Sequence, residues 1–162
     1  MNEICDILEI IEHDPKKDTQ EIALLSGYSE EKVRSRIKEL EENGIIRKYK
    51  AVIDWDKVGE EYIYAIIELK INLDERAGYD NIAKRIASFN EVRSIRLISG
   101  DHDLSLTIRG NSMKDVAFFV AEKIATLDQV QSTMTHFVLK TYKEDGVALF
   151  EMERSKRLVI SP

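Results

Sequence analysis

The chain has 162 residues, of which 43% are hydrophobic and 33% charged, with a formal net charge of −6. That length holds one domain or two small ones with a real core, and no apolar run approaches the roughly 18 residues of a membrane span. The start, MNEICDILEI, is acidic where a signal peptide needs basic residues, so the cytoplasm is the expected compartment.

In residues 3 to 13, Ile4, Ile7, Leu8 and Ile11 fall at helical spacing, which predicts an amphipathic helix. The one cysteine, Cys5, sits among them; it allows no internal disulfide and is expected to be a small buried hydrophobe. Asp14-Pro15 stops the helix, because the residue before proline is pushed out of the α region. Asp18 and Glu21 have capping-box spacing and open a short helix that buries Ile22, Ala23 and Leu25. Gly27 permits a tight turn, and Ser29 caps a third helix whose buried stripe is Val33, Ile37 and Leu40. Asn43-Gly44 ends it, and IIRKYKAVID then reads as a strand. Three helices with a glycine turn before the third, then a strand, predict a winged helix-turn-helix over residues 1–53. The apolar pattern lapses over 54–61, which reads as a linker.

Residues 62–162 have another rhythm. YIYAIIELKI is a near-continuous apolar strand, and Ile82, Ile86 and Phe89 mark a helix. EVRSIRLIS and DLSLTIR are strands joined through Gly100-Asp101-His102. Ser112 caps a helix carrying Val116, Phe119, Val120 and Ile124, and QSTMTHFVLKTY is the last strand. The order β-α-β-β-α-β predicts a ferredoxin-like sandwich, so the fold class is α+β. The first strand is apolar on both faces, with Tyr62, Tyr64 and Ile66 opposite Ile63, Ala65, Ile67 and Leu69. A second subunit is expected to cover the face that the helices do not.

Positive charge collects in one place. From Lys32 to Lys50 there are seven Lys/Arg and three Glu, in an otherwise acidic chain. On the third helix Arg34, Ser35 and Lys38 point away from the buried stripe, with Lys32 on its shoulder; Arg47, Lys48 and Lys50 follow in the wing. Lys and Arg bind phosphates with counterion release, and Arg reads guanine bidentately. A basic helix alone reads as a solvated face with pairs such as Lys38–Glu42. The preceding helices, the turn and the basic wing together favour double-stranded DNA as the partner.

On these residues the sequence resembles the Lrp/AsnC (feast/famine) regulators. The shared pattern is Gly27-x-Ser29, Val33-x-x-Arg36-Ile37-x-x-Leu40-Glu41 and Gly44-Ile45-Ile46, then the join DWDKVG. SGDHDLSLTIRG is similar to the G-D-x-D motif of that family's effector domain, and the ending RLVI is similar to that of some full-length members. The resemblance implies a transcription regulator that forms homodimers through sheet packing and assembles further, often to octamers. It also implies an amino-acid effector near the G-D-x-D loop. Gly100, Asp101 and Asp103 match that motif, whereas His102 stands where an aromatic residue is common. Thr133 and His136, on the last strand, are further candidates, although the face each occupies is open because Phe137, Val138 and Leu139 are all apolar. One aspartate suffices for a turn, so Asp103, at the strand start, is the expected ligand for an ammonium group.

An enzyme with the same two-domain architecture, a haem-precursor decarboxylase, is the rival reading. It needs cationic or imidazole groups around a large cavity, and this chain has three histidines, His13, His102 and His136. No metal-ligand spacing, phosphate loop or nucleophile elbow accompanies them. Neither catalysis nor a cofactor is expected. A module that has lost DNA binding is a third reading, against which Lys32, Arg34, Lys38, Arg47 and Lys48 argue.

Overall fold

The computed structural model describes residues 3–72 and 78–150; the RLVI ending lies outside them. The chain divides into two compact units between Val52 and Ile53.

The first unit holds α1 (Glu3–His13), α2 (Thr19–Ser26) and α3 (Glu30–Glu42). Ile7 and Ile11 of α1, Ile22 of α2 and Val33 of α3 form its core, with Ile37 and Ile46 packed on the outside. Local chemistry sets the boundaries. Asp18 accepts from the Glu21 N–H while Glu21 accepts from the Asp18 N–H, a reciprocal cap on α2. Ser29 accepts from the Lys32 N–H and caps α3. Gly27, between α2 and α3, has φ 76°, and Gly44, after α3, has φ 66°; both are left-handed conformations that favour glycine.

Three expectations fail here. Leu25 of α2 is 60% exposed, because the short helix buries only Ile22. Cys5 is exposed, because the α1 stripe centres on Ile7 and Ile11 and leaves Cys5 on the other side of the helix. Residues 45–54 form no strand: they are irregular, and no ladder pairs them among the described residues. A strand pattern without a partner chain segment has nothing to satisfy its backbone groups in regular register. Its end is nonetheless tied to α3, since Tyr49 donates from its hydroxyl to Glu41 Oε1 at 2.7 Å. Burial, with that carboxylate, pushes the Tyr49 hydroxyl up to about 12.

The second unit carries β1 (Ile63–Ile71), α5 (Tyr79–Ala87), β2 (Val92–Leu97), β3 (Leu104–Gly110), α6 (Met113–Phe119) and β4 (Val130–Phe137), preceded by the short α4 (Trp55–Val58). The sheet is antiparallel in the order β2-β3-β1-β4. Ala65, Ile67 and Leu69 of β1, with Leu104, Leu106 and Ile108 of β3, are buried against Ile82 and Ile86 of α5 and Val116, Phe119, Val120 and Ile124. The last two lie in a π-helical turn, Val120–Ile124, that continues α6. Gly110 is required where β3 meets α6, because a Cβ there would come 2.9 Å from Val116 Cγ2. The βαββαβ order is therefore the one the sequence predicts.

The segment read as a linker has structure of its own. Asp54 caps α4, and Trp55 packs edge-on to Tyr62 with ring centroids 5.2 Å apart. The Arg109 guanidinium lies over the Tyr62 ring at 4.1 Å and near Trp55 at 5.8 Å, which holds α4 against the end of the sheet. A final hairpin, β5 (Lys143–Glu144) and β6 (Val147–Ala148), turns at Asp145-Gly146, both with positive φ. No helix among the described residues is long and apolar enough to cross a membrane.

Candidate functional site

The exposed side of α3 carries the sequence-predicted cations, and each of them has an acidic partner. Lys32 Nζ lies 2.7 Å from Glu3 of α1 and 4.8 Å from the Tyr28 ring centroid. Arg34 pairs with Glu30, which also accepts from the Thr19 hydroxyl of α2. Arg36 pairs with Glu39 and approaches Glu3. Lys38 lies 3.8 Å from Glu42. Along its whole length α3 has five glutamates against four cations, a formal net charge of −1. The positive excess that the sequence places on a helix lies instead beyond its end, at the exposed Arg47, Lys48 and Lys50. Ser35 is exposed beside Arg34 and Lys38, as its spacing predicts.

The pairs on this face differ in strength. Arg34 and Lys38 are 70% and 76% exposed, where an i,i+4 pair contributes only about 0.5 kcal/mol or less. Such pairs can be exchanged for a phosphate or a base edge at little cost. Glu3 is more enclosed, and its hydrogen bond from Lys32 holds its carboxyl below the usual carboxylate range.

In the second unit, strand register sorts the effector candidates. β4 runs opposite β1 with Ile66 facing His136, Glu68 facing Met134 and Leu69 facing Thr133. Directly opposed residues share a face. His136 and Met134 therefore stand on the open face with Ile66 and Glu68, and Thr133 stands on the helix-covered face with Leu69. The sequence grouped Thr133 with His136; the pleat separates them, because positions an odd number apart point opposite ways. His102, in the loop between β2 and β3, comes to the open face: its Nδ1 lies 3.7 Å from Glu68 Oε2, and His136 Nε2 lies 3.5 Å from the same oxygen. Among the described residues no group of three His, Cys, Asp or Glu could hold a metal ion.

Asp103 has another occupation from the one expected. Its carboxylate accepts from the Ile71 N–H at 2.8 Å and from the Tyr79 hydroxyl at 3.1 Å, with Lys70 Nζ at 3.5 Å. Its backbone N–H donates to the Leu69 carbonyl, and its carbonyl accepts from the Ile98 N–H, each at 2.9 Å. The Ile71 N–H, with Tyr79 and Lys70, holds the carboxyl below the ordinary aspartate value of 3.8. Burial, with the same contact, raises the Tyr79 hydroxyl. Asp103 thus pins the loop to the end of β1 and the start of α5. Asp101 is exposed on that loop, and Gly100, beside it, has φ 133°. The clamp at Asp103 was invisible in sequence, because Ile71 and Tyr79 reach it only once β1 and β3 pair.

The open face of the sheet is mixed in character. Tyr64, Ile66 and Met134 make its apolar strip, and Ser105 and Thr107 of β3 stand beside them opposite Glu68 and Ile66. Ile66 is 39% exposed and Met134 46%. The two-sided apolar pattern of β1 is real, but it covers a strip and not the whole face.

Residues 5–47 match a family model described as winged helix-turn-helix DNA-binding, and residues 64–148 match the Lrp/AsnC ligand binding domain. Over 158 residues, 97% of this chain and 95% of the relative, the sequence is 46% identical to YugG, an uncharacterized HTH-type transcriptional regulator of Bacillus subtilis. It is 30% identical to the HTH-type transcriptional regulator FL11 of Pyrococcus horikoshii over 85% of this chain and 88% of that protein. Among solved structures, the transcriptional regulator NMB0573 of Neisseria meningitidis, in complex with L-Met, shares the fold with TM-score 0.69 at 24% identity, covering 89% of this chain and 92% of that one. The two units and these matches place the chain in the Lrp/AsnC family of DNA-binding transcriptional regulators.

Proposed function

We propose that the regulator reads duplex DNA with the outer side of α3 and anchors on phosphates through the segment that follows it. Arg34, Ser35 and Lys38 are the base-reading candidates; Arg47, Lys48 and Lys50 are the phosphate candidates, and Lys32 joins them only on a duplex that displaces its partner Glu3. The observation that carries this reading is the side-chain arrangement of α3. Val33 and Leu40 are buried, which fixes the helix by its inner stripe and leaves Arg34, Ser35 and Lys38 exposed together. Exposed cations with exchangeable partners suit both phosphate contact and bidentate readout.

The effector is an amino acid held near the loop Gly100–Asp101–His102, with Glu68 and His136 beside it. The L-Met complex of a fold neighbour supports that class of ligand. Asp101 is the acceptor for the ammonium group; Asp103 shapes the loop, since its oxygens already accept internal donors. Thr133, on the other face, takes no part. A homodimer covers the strip of Tyr64, Ile66 and Met134, and higher assemblies up to an octamer build on it.

Two experiments test this. Thermal-shift screening with the twenty amino acids should find a ligand that raises stability by mass action, and Asp101→Ala should remove that shift. A full shift in the Asp101→Ala protein would move the site elsewhere. Ile66→Asp places a carboxylate in the dimer strip, where an unpaired charge is costly to desolvate. Sedimentation should then show monomer or aggregate, and an unchanged oligomer would place the interface on another surface.

A further inference from the structure

Three of the four cations of α3 have acidic partners close by in their own helix, which any solvated helix can supply. Glu3 is different. It comes from α1 and meets two α3 cations together: Lys32 Nζ at 2.7 Å from Oε2, and Arg36 Nε at 3.5 Å from Oε1. Lys32 and Arg36 lie one turn apart, so a single carboxylate bridges them only from a neighbouring helix. The bridge is imperfect on one side. Glu3 Oε1 and Arg36 Nε are shielded from solvent and make no hydrogen bond among the described residues. Arg36 is thus held by Glu39 through its Nη1, while its Nε faces Glu3 by charge alone, and a well-placed phosphate oxygen would satisfy that Nε better. The local surface is also acidic, with Glu31 and Glu39 in the same shallow hollow as Lys32 and Arg36.

We infer that Glu3 is a specificity-determining residue for DNA, which keeps Lys32 and Arg36 from serving as sequence-independent phosphate anchors. The inference rests on the reading of α3 as the DNA-contacting helix. Sequence-independent affinity comes from cations that neutralise phosphates and release counterions. A cation already neutralised by a protein carboxylate releases none unless that carboxylate is displaced, and the carboxylate itself repels phosphate. Binding to any duplex therefore relies on cations outside this bridge, Arg47 and Lys48 after the helix among them. Discrimination is left to Arg34, Ser35 and Lys38; the two cations are themselves exposed and, among the described residues, pair only within their own helix. An acidic DNA-binding protein gains selectivity this way, because its weakest contacts with wrong sequences are the ones suppressed.

The test uses the full-length protein and two probes: a short mixed-sequence duplex, and a duplex of equal length enriched by the wild-type protein from a random library. Glu3→Gln should bind the mixed duplex several-fold more tightly, and its log–log salt slope should steepen by about one to two units. The affinity ratio between enriched and mixed duplexes should narrow. Glu3→Asp keeps the charge and should restore much of the wild-type slope. In the Glu3→Gln background, Lys32→Ala with Arg36→Ala should return the slope to the wild-type value, which a merely structural role for Glu3 would not do. Melting curves of each variant confirm that the slope is read on folded protein. An unchanged or shallower slope in Glu3→Gln overturns the inference. Arg34→Ala separates the two claims: if it binds the enriched duplex as wild type does, α3 is not the reading helix and both claims fall. If it weakens that binding while Glu3→Gln leaves the slope unchanged, only the role of Glu3 falls.

Discussion

The α3 surface and the Gly100–Asp103 loop both depend on carboxylates, and they use them in opposite ways. Along α3, Glu30 and Glu42 hold the exposed Arg34 and Lys38 through side-chain pairs that another anion can replace, although Glu30 also accepts from the Thr19 hydroxyl. In the loop, Asp103 holds a backbone N–H, a tyrosine hydroxyl and the end of a strand, so nothing can replace it without opening the turn. The first arrangement suits a surface that must exchange partners when DNA arrives. The second suits a frame that must present its neighbours, Asp101 and His102, in a fixed position. The difference shows that a carboxylate in a binding region is a ligand candidate only when its acceptors are free.

The sharpest way to break this contrast is at Asp103. Asp103→Ala should cost about 1–3 kcal/mol of unfolding stability, because it leaves the Ile71 N–H without its acceptor. The sign of the pH dependence follows from its lowered carboxyl. That stabilisation is present above the unfolded-state value, near 3.8, and is lost as pH falls through the lower folded value. Denaturant titrations should therefore show the gap between wild type and Asp103→Ala shrinking as pH falls through the acidic range. A gap that stays constant with pH would mean the carboxylate charge contributes nothing to the loop.

A smaller effect on folding is expected at Ser29. Removing its hydroxyl takes one acceptor from the α3 N-terminus and should lower stability by about 1 kcal/mol. The same change should leave the salt slope of DNA binding alone. Lys48→Ala does the reverse: it should weaken all duplexes alike and reduce the slope by about one unit, with no change in melting. The smallest effect is at Glu42→Gln. Loss of its exposed pair with Lys38 should change stability by less than about 0.5 kcal/mol. A large destabilisation there would show that the rim pairs are structural, and the contrast with Asp103 would fail.

Helix chemistry was legible in the sequence because a helix carries its own periodicity and its own caps. Asp18 with Glu21, Gly27, Ser29 and Gly44 act where their spacing put them. The buried residues of α5 and α6 follow the same rule. The two faces of β1 were legible from alternation, with Ala65, Ile67 and Leu69 buried as expected, but the faces of β4 were not, since a strand's neighbours decide what it meets. A spacing of three already puts Thr133 and His136 on opposite faces, but which face each takes came only with the register of β4 on β1. Asp103 found Ile71 at the end of β1 and Tyr79 at the start of α5, at sequence separations of 32 and 24. The hairpin at Asp145-Gly146 did carry a signal, because Asp-Gly suits a turn with two positive φ values, but its strands are only two residues each. Cys5 was misplaced because apolar neighbours in sequence are not neighbours on a helix face.

Charge is the other lesson of α3. Counting from Lys32 gave a basic segment, but the helix begins at Glu30 and meets Glu3 in space. With Glu30 and Glu31 included, the helix is slightly acidic, and the excess positive charge belongs to the residues after it.

The central claim is that the outer side of α3 reads DNA, and it is tested most directly by one binding measurement. Wild type and an Arg34→Ala/Lys38→Ala variant are titrated at fixed salt against the enriched duplex and the mixed duplex. The account predicts a loss of about 1–3 kcal/mol on the enriched duplex for a base-reading Arg34, and a much smaller loss on the mixed one. Equal binding of the enriched duplex by both proteins would contradict it.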